Sequence, residues 1–456
     1  MPESSLHKIL FYSTNRKAPE VDLIKALFTG QAPDRGLYMP KIIPTLTQKE
    51  INSLRNQSYP KVAATILEKY TLNTLPQDNL YTLCEEAYHF SVPLEPVYDR
   101  IYLMRLDQGP TASFKDFAAR MMARLFGTFL KKEKKKLIIL TATSGDTGSA
   151  IANAFYDIPN IEVMVLFPPA EVSNRQRKQM TTLGRNITIV GIDGKFDDCQ
   201  ALVKRAFADD ALKEIWLTSA NSINIGRLLP QTVYYFFAYA QLAKKGESIY
   251  FSIPSGNFGN MMGALLAKQM GLPIERLIIV TNENDEVPIY FKTKSYQKIV
   301  PSRMCISNAM NVGHPSNFAR VVDLYGGWMD ETGIIHQQPD IERMRQDMWT
   351  IRIDDEETRK TIQSAWRKYN LLLEPHGAAG WAGLQHFIQV TKAEGLMVSV
   401  ETAHPAKFPE EINRLLSITP SIPPSLAEIE DKEESYIRLS NDYNEFRNLL
   451  LEKYKR

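Results

Sequence analysis

Two segments of this chain pass from a short apolar run through a small glycine-containing loop into a helical pattern, and then into a second apolar run. Residues 136–142 read as a buried strand, Thr143-Ser144-Gly145-Asp146-Thr147-Gly148 as a turn, 149–156 as a helix and 161–167 as the next strand. The pattern recurs with a strand over 249–254 and the loop Ser255-Gly256-Asn257-Phe258-Gly259-Asn260. A helix over 261–270, stopped by Gly271 and Pro273, and a strand over 277–281 complete that second unit. Both are βαβ units, which makes this an α/β protein. Glycines between a strand and a helix let backbone N–H groups converge on an anion at the helix N-terminus, where the macrodipole adds to the hydrogen bonds. Neither loop has the three-glycine spacing of a dinucleotide fold, nor the Gly-Lys-Ser/Thr ending of a nucleotide P-loop.

A third element concerns an amine. Lys115 lies in Gly109-Pro110-Thr111-Ala112-Ser113-Phe114-Lys115-Asp116, where a breaker-rich loop turns into an amphipathic helix marked by Phe117, Met121, Met122, Leu125 and Phe129. The positive end of the macrodipole and desolvation against Phe114 and Phe117 both favour the neutral amine, a nucleophile able to form a Schiff base. A lone lysine at a helix start is ordinarily a solvated cation. Together with two anion-binding loops it implies a different arrangement: one loop for a cofactor phosphate, the other for a substrate anion, and Lys115 for the cofactor aldehyde. That cofactor is pyridoxal phosphate.

With these residues the chain resembles the threonine synthases of the longer bacterial and fungal type, nearly end to end. The blocks that carry the likeness include Tyr12-Ser13-Thr14 and Ala32-Pro33-Asp34-Arg35-Gly36-Leu37-Tyr38-Met39-Pro40, with arginine at 35 where the family more often has glycine. The lysine segment, the 141–148 loop, Asn221-Ser222-Ile223-Asn224-Ile225-Gly226-Arg227 and the 255–260 loop follow in order. Glu374-Pro375-His376 and Thr402-Ala403-His404-Pro405-Ala406-Lys407-Phe408 close the series.

The resemblance implies a fold type II pyridoxal-phosphate enzyme, tryptophan synthase β-like, with two open α/β units and an N-terminal domain. It implies that Lys115 carries the Schiff base, that Gly256, Asn257, Phe258, Gly259 and Asn260 surround the cofactor phosphate, and that Thr402 faces the pyridine nitrogen. Asp146 would stand beside the ring hydroxyl, where related enzymes often have asparagine; an ionised acid there cannot donate a hydrogen bond. Thr143, Ser144, Gly145 and Thr147 would bind the substrate carboxylate, and Asn221, Ser222 and Arg227 its phosphate, for which arginine offers a planar fork. The implied reaction is a β,γ-replacement that turns O-phospho-L-homoserine and water into L-threonine and phosphate, the last step of threonine biosynthesis. A phospho-lyase or dehydratase using the same cofactor and giving a 2-keto acid is the alternative chemistry. A protein that keeps the fold without catalysis is the third reading, and the intact Lys115 and full phosphate loop weigh against it.

Composition fits such an enzyme without selecting one. The 456 residues, 44% of them hydrophobic, suffice for more than one core. The 54 basic and 52 acidic residues nearly balance, so no nucleic-acid partner is implied, and no obligate protein partner is readable. The basic run of Lys131, Lys132, Lys134, Lys135 and Lys136 reads as a solvated helix end. Cys84, Cys199 and Cys305 are widely separated, which suits a reducing cytoplasm without disulfides or a metal site. No apolar stretch reaches the roughly 18 residues of a membrane span, and 233–240 reads as a buried helix. The expected organisation is an N-terminal domain (1–97), a larger cofactor-binding α/β domain (98–136 and 221–424), a smaller α/β domain (137–220) and a C-terminal helical segment (425–456). His376 and His404 read as structural, since neither has a partner carboxylate at readable spacing.

Overall fold

The computed structural model describes residues 8–455, apart from 132, 134 and 144. The expectations for Ser144, Lys132, Lys134 and the first seven residues therefore lie outside the described residues.

Six strands form the larger sheet, in the order Met348–Arg352, Ile274–Thr281, Ile249–Pro254, Leu396–Glu401, Ile101–Arg105 and Leu94–Tyr98. The last strand is antiparallel to its neighbour and the others run parallel. The smaller sheet is parallel throughout, in the order Ile437–Ser440, Ile187–Asp193, Ile161–Phe167, Leu137–Ala142 and Leu217–Thr218. The strands expected near 136–142, 161–167, 249–254 and 277–281 are all present, because strands covered on both faces are written as uninterrupted apolar runs.

Register places the functional loops. Ser252 pairs with Ser399, and Glu401 with Arg105, so three central strands end side by side. The loops that follow them, containing 255–260, 402–408 and 106–114, leave from one edge of the larger sheet. In open α/β sheets the crevice outside the carboxyl ends of the strands is where ligands bind.

The Lys115–Leu130 helix is sealed on its apolar face, where Phe117 is fully buried against Tyr59, Phe90 and Tyr234 with ring centroids at 5.3, 5.0 and 5.6 Å. Burying a side chain of that size contributes about 1.5–3 kcal/mol. Tyr59 belongs to the N-terminal helix Tyr59–Thr71, so the N-terminal helices act as a plate that fixes the lysine helix. Residues 233–240 do form part of a buried helix, Val233–Leu242.

Three readings need correction. Helix Asp146–Phe155 starts three residues before the expected 149, because the positive φ of Gly145 (132°) turns the chain sharply enough for Asp146 to enter the first turn. The C-terminal segment is not helical throughout: Ile437–Ser440 pairs in parallel with Ile187–Asp193 before helix Tyr443–Tyr454. Leu426 packs on Ala112 and Ala406, whereas Tyr436 meets the edge of Phe167. The boundary drawn at 97 falls inside the edge strand Leu94–Tyr98.

Candidate active site

Lys115 is the first residue of its helix, and no side chain caps that helix end. The preceding loop winds around Asp116, whose carboxylate accepts from the Thr111 N–H at 2.8 Å and the Thr111 hydroxyl at 2.6 Å. A Cβ at Gly109 would lie 2.4 Å from Asp116 Oδ2, so only glycine permits this tight wrap.

Segment 402–407 then zips along the loop. Phe114 N donates to the Thr402 carbonyl at 2.9 Å, His404 N to the Ala112 carbonyl at 3.0 Å, and Ser113 bridges Ala403. Thr402 is thereby set beside Lys115 although 287 positions separate them in the chain.

Around the amine the charges are arranged closely. Lys115 Nζ lies 3.9 Å from Asp146 Oδ2, with 14% of the lysine side chain exposed. Burial pulls the amine down to about 8; Lys407 and Arg227 add to that, while Asp146 and Glu374 act the other way. Burial alone would push the Asp146 carboxyl up. Lys407, Lys115 and a hydrogen bond from Gln176 instead hold it far below the usual carboxylate range, so Asp146 is an acceptor at neutral pH.

The 143–148 loop is organised by a hydroxyl. Thr143 Oγ1 accepts from the N–H groups of Gly145 at 2.9 Å and Gly148 at 2.8 Å. Those two donors are therefore already engaged. The remaining first-turn N–H groups, of Asp146 and Thr147, have no acceptor within the helix.

The second loop leads into helix Gly259–Gln269, preceded by Phe258 in the left-handed region (φ 60°). Its first turn, Gly259 to Met261, is buried, yet no side chain caps it. A buried helix start without acceptors calls for an anion. The Asn257 amide is consumed by structure: Nδ2 donates to Ser222 Oγ at 2.5 Å and Oδ1 accepts from Ser316 N at 2.6 Å. Asn260 Oδ1 accepts from the hydroxyls of Tyr234 at 2.5 Å and Tyr235 at 2.6 Å. Its Nδ2 is buried with no partner among the described residues, as are Ser113 Oγ and Arg227 Nε. These orphan donors, the uncapped helix start and a depressed amine fit a phosphorylated aldehyde such as pyridoxal phosphate.

Arg227 is buried with Nη1 donating to the Ala220 carbonyl at 2.9 Å, and burial lowers it to about 10, so it stays charged. Ser222 lies against the 255–260 loop through Asn257, whereas Asn221 Oδ1 accepts from the Thr141 hydroxyl.

Several contributors had no role in the sequence reading. Lys407 is enclosed and pairs with Asp146, and Gln176 reaches the same carboxylate from helix Asn174–Thr181. His376 does have a carboxylate partner, contrary to expectation: Glu374 Oε2 accepts from its backbone N–H at 2.8 Å and from Nδ1 at 2.5 Å. His376 Nε2 accepts from Ala309 N at 3.0 Å, and the Ala309 carbonyl lies 2.6 Å from where a Cβ on Gly256 would sit. The pair braces the floor of the 255–260 loop. The signal was present in Glu-Pro-His, where glutamate before proline is a helix N-cap with a histidine two positions on. His376→Leu is expected to lower stability by about 2–4 kcal/mol by stranding a buried carboxylate and an N–H group, as thermal unfolding would measure.

An amine, two anion-binding helix starts and a buried acceptor at the carboxyl edge of an open sheet define a pyridoxal-phosphate enzyme of fold type II. Family models agree: residues 92–400 match "Pyridoxal-phosphate dependent enzyme", 10–88 "Threonine synthase N terminus" and 377–450 "Threonine synthase, C-terminal". The threonine synthase of Haemophilus influenzae is 40% identical over 448 residues, covering 96% of this chain and 99% of that protein. The solved pyridoxal-phosphate-bound threonine synthase of Brucella melitensis superposes with a TM-score of 0.90 at 33% identity, covering 98% of this chain and all of that one. That of Escherichia coli gives 0.87 at 35% identity, covering 97% of this chain and all of its own. The chain belongs to the threonine synthase family. No helix among the described residues is long and apolar enough to cross a membrane, and no group of metal ligands occurs among them.

Proposed function

We propose that this chain converts O-phospho-L-homoserine and water into L-threonine and inorganic phosphate, with Lys115 as its catalytic residue. The observation that carries the assignment is the Lys115 amine, drawn down to about 8 and held 3.9 Å from an ionised Asp146. When bound, pyridoxal phosphate supplies an aldehyde that joins an amine and a ring that withdraws electrons.

The protein's part is to hold and move protons. Lys115 would hold the cofactor aldehyde and, once the substrate amine is bound there instead, would take the proton from Cα. Loss of a proton at Cβ would expel phosphate from Cγ; Cγ would then gain a proton, and water would add its hydroxyl at Cβ while a proton returns to Cα. An amine with a depressed pKa serves as acceptor and as donor near neutral pH. Gly256, Phe258, Gly259 and Asn260 would grip the cofactor phosphate, mainly through backbone N–H groups, with Asn257 shaping the loop. Thr402 would face the pyridine nitrogen, and Asp146 the ring hydroxyl as an acceptor. Thr143, Ser144, Gly145 and Thr147 would receive the substrate carboxylate, with the N–H groups of 146 and 147 as the free donors. Arg227, with Asn221 and Ser222, would receive its phosphate.

The larger α/β unit, 98–136 and 221–424, would hold the cofactor, and the smaller one would present Asp146. The free, buried cysteines Cys84, Cys199 and Cys305 suit a cytoplasmic setting.

The deciding experiment measures phosphate and threonine together. Equal amounts from O-phosphohomoserine support the assignment, whereas phosphate with a 2-keto acid and ammonia would identify a lyase or dehydratase instead. Arg227→Met is expected to lower kcat/KM by about 10²-fold, the loss of a charge-assisted hydrogen bond, with the cofactor still bound. An unaltered kcat/KM would remove Arg227 from phosphate recognition.

A further inference from the structure

None of the Lys407 side chain is exposed. Its Nζ lies 2.5 Å from Asp146 Oδ1 and donates to the Thr111 carbonyl at 2.9 Å. Gln176 Nε2 donates to the same Oδ1 at 2.9 Å, which leaves Oδ2 turned to Lys115 at 3.9 Å. One ammonium therefore joins three segments: the loop before the lysine helix, the start of helix Asp146–Phe155, and the end of the larger sheet. A buried ammonium is strongly unfavourable unless paired, and an apolar side chain would serve as well if the contact were only a strut.

We propose that Lys407 is a positioning residue for the reaction: by occupying Asp146 Oδ1 it keeps that group a carboxylate and directs Oδ2 to the nitrogen of Lys115. This rests on Lys115 being the cofactor attachment point. Asp146 and Glu374 favour the protonated form of that nitrogen, and Lys407 and Arg227 oppose it. Asp116 also acts on Lys407 and Arg227, while burial pulls His404 down to about 4 and leaves it neutral. Removing the Lys407 charge takes away one repulsion and leaves Lys115 as the nearest cation to Asp146. Proton affinity at Lys115 then rises.

The test follows the absorbance of bound pyridoxal phosphate against pH in the holoenzyme. Lys407→Met is expected to raise the titration midpoint by about one pH unit, the lower end of what a charge within 4–6 Å produces. Lys407→Arg is expected to restore part of that shift, and Asp146→Asn to lower the midpoint. In the Asp146→Asn background, Lys407→Met is expected to move it less, by the direct repulsion alone. An unmoved midpoint in Lys407→Met, or an equal shift in both backgrounds, overturns the proposal. If Lys407→Met does not fold, Lys407→Gln takes its place, since it keeps a donor without the charge. Borohydride reduction and peptide mapping of the same samples separate the two claims. A label away from Lys115 overturns the site assignment itself, whereas a label on Lys115 with a fixed midpoint overturns only the role of Lys407.

Discussion

Lys115→Ala is expected to abolish threonine formation, with a loss of about 10⁴-fold or more in kcat, because in the proposed mechanism one amine serves both as the anchor and as the group that moves protons. Phosphate release from O-phosphohomoserine is the measurement. Wild-type turnover in this variant would refute the mechanism outright. The same substitution has a second signature in the cofactor-free protein. Folded Lys115 gives up its proton near pH 8, whereas the unfolded chain holds it to the ordinary value of 10.5. The unfolded state thus binds more protons between those values, so this residue makes stability rise with pH across that window. Urea midpoints measured against pH should lose that component in Lys115→Ala, and the variant should be no less stable than the wild type below pH 8. Such an exchange of stability for a pre-set amine is expected at a functional site.

Gly256→Ala is the second large expected effect. The added methyl group would sit 2.6 Å from the Ala309 carbonyl oxygen and 2.9 Å from Met310 Cα, both backbone atoms. They cannot retreat easily, because His376 holds Ala309 N and is itself locked to Glu374. The overpacking costs about 1–3 kcal/mol, and the displaced loop loses its aim at the phosphate. We expect cofactor affinity to fall by about 10–100-fold if that cost appears in binding, as fluorescence titration with pyridoxal phosphate would measure. Unchanged affinity would mean that the phosphate is gripped elsewhere.

Much of the architecture was legible because its causes are local. The apolar run at 249–254 and the helical spacing after Lys115 report burial directly, since each element hides one face or two. Glycines 256 and 259 mark a loop that must approach another backbone or an anion. Lys115 was read as lying in the loop or first turn of a helix, and it is the first residue of that helix. The same local logic failed at 437–440, a short strand bordering a helix that was read as part of a helical segment. It also placed the start of helix Asp146–Phe155 too late, since the turn at Gly145 is set by a left-handed φ that composition does not reveal.

The electrostatics of the site were only half legible. A depressed amine at Lys115 could be anticipated from its helix start and its aromatic neighbours, but the protonation of Asp146 could not. That question is decided by Lys407, 261 positions away in the chain, and by Gln176 on another helix. Likewise the carboxylate partner of His376 was adjacent in sequence, but its purpose depends on Ala309, which lies on a distant loop.

What the chain order determined by itself was the set of parts: two strand-to-helix loops with free N–H groups, an amine at a helix start, and the family to which these belong. Only the tertiary structure decided how the charges are shared among Lys115, Asp146 and Lys407. Hydrophobic period and turn chemistry act over a few residues, whereas a pKa depends on every charge within several ångströms, whichever part of the chain supplies it.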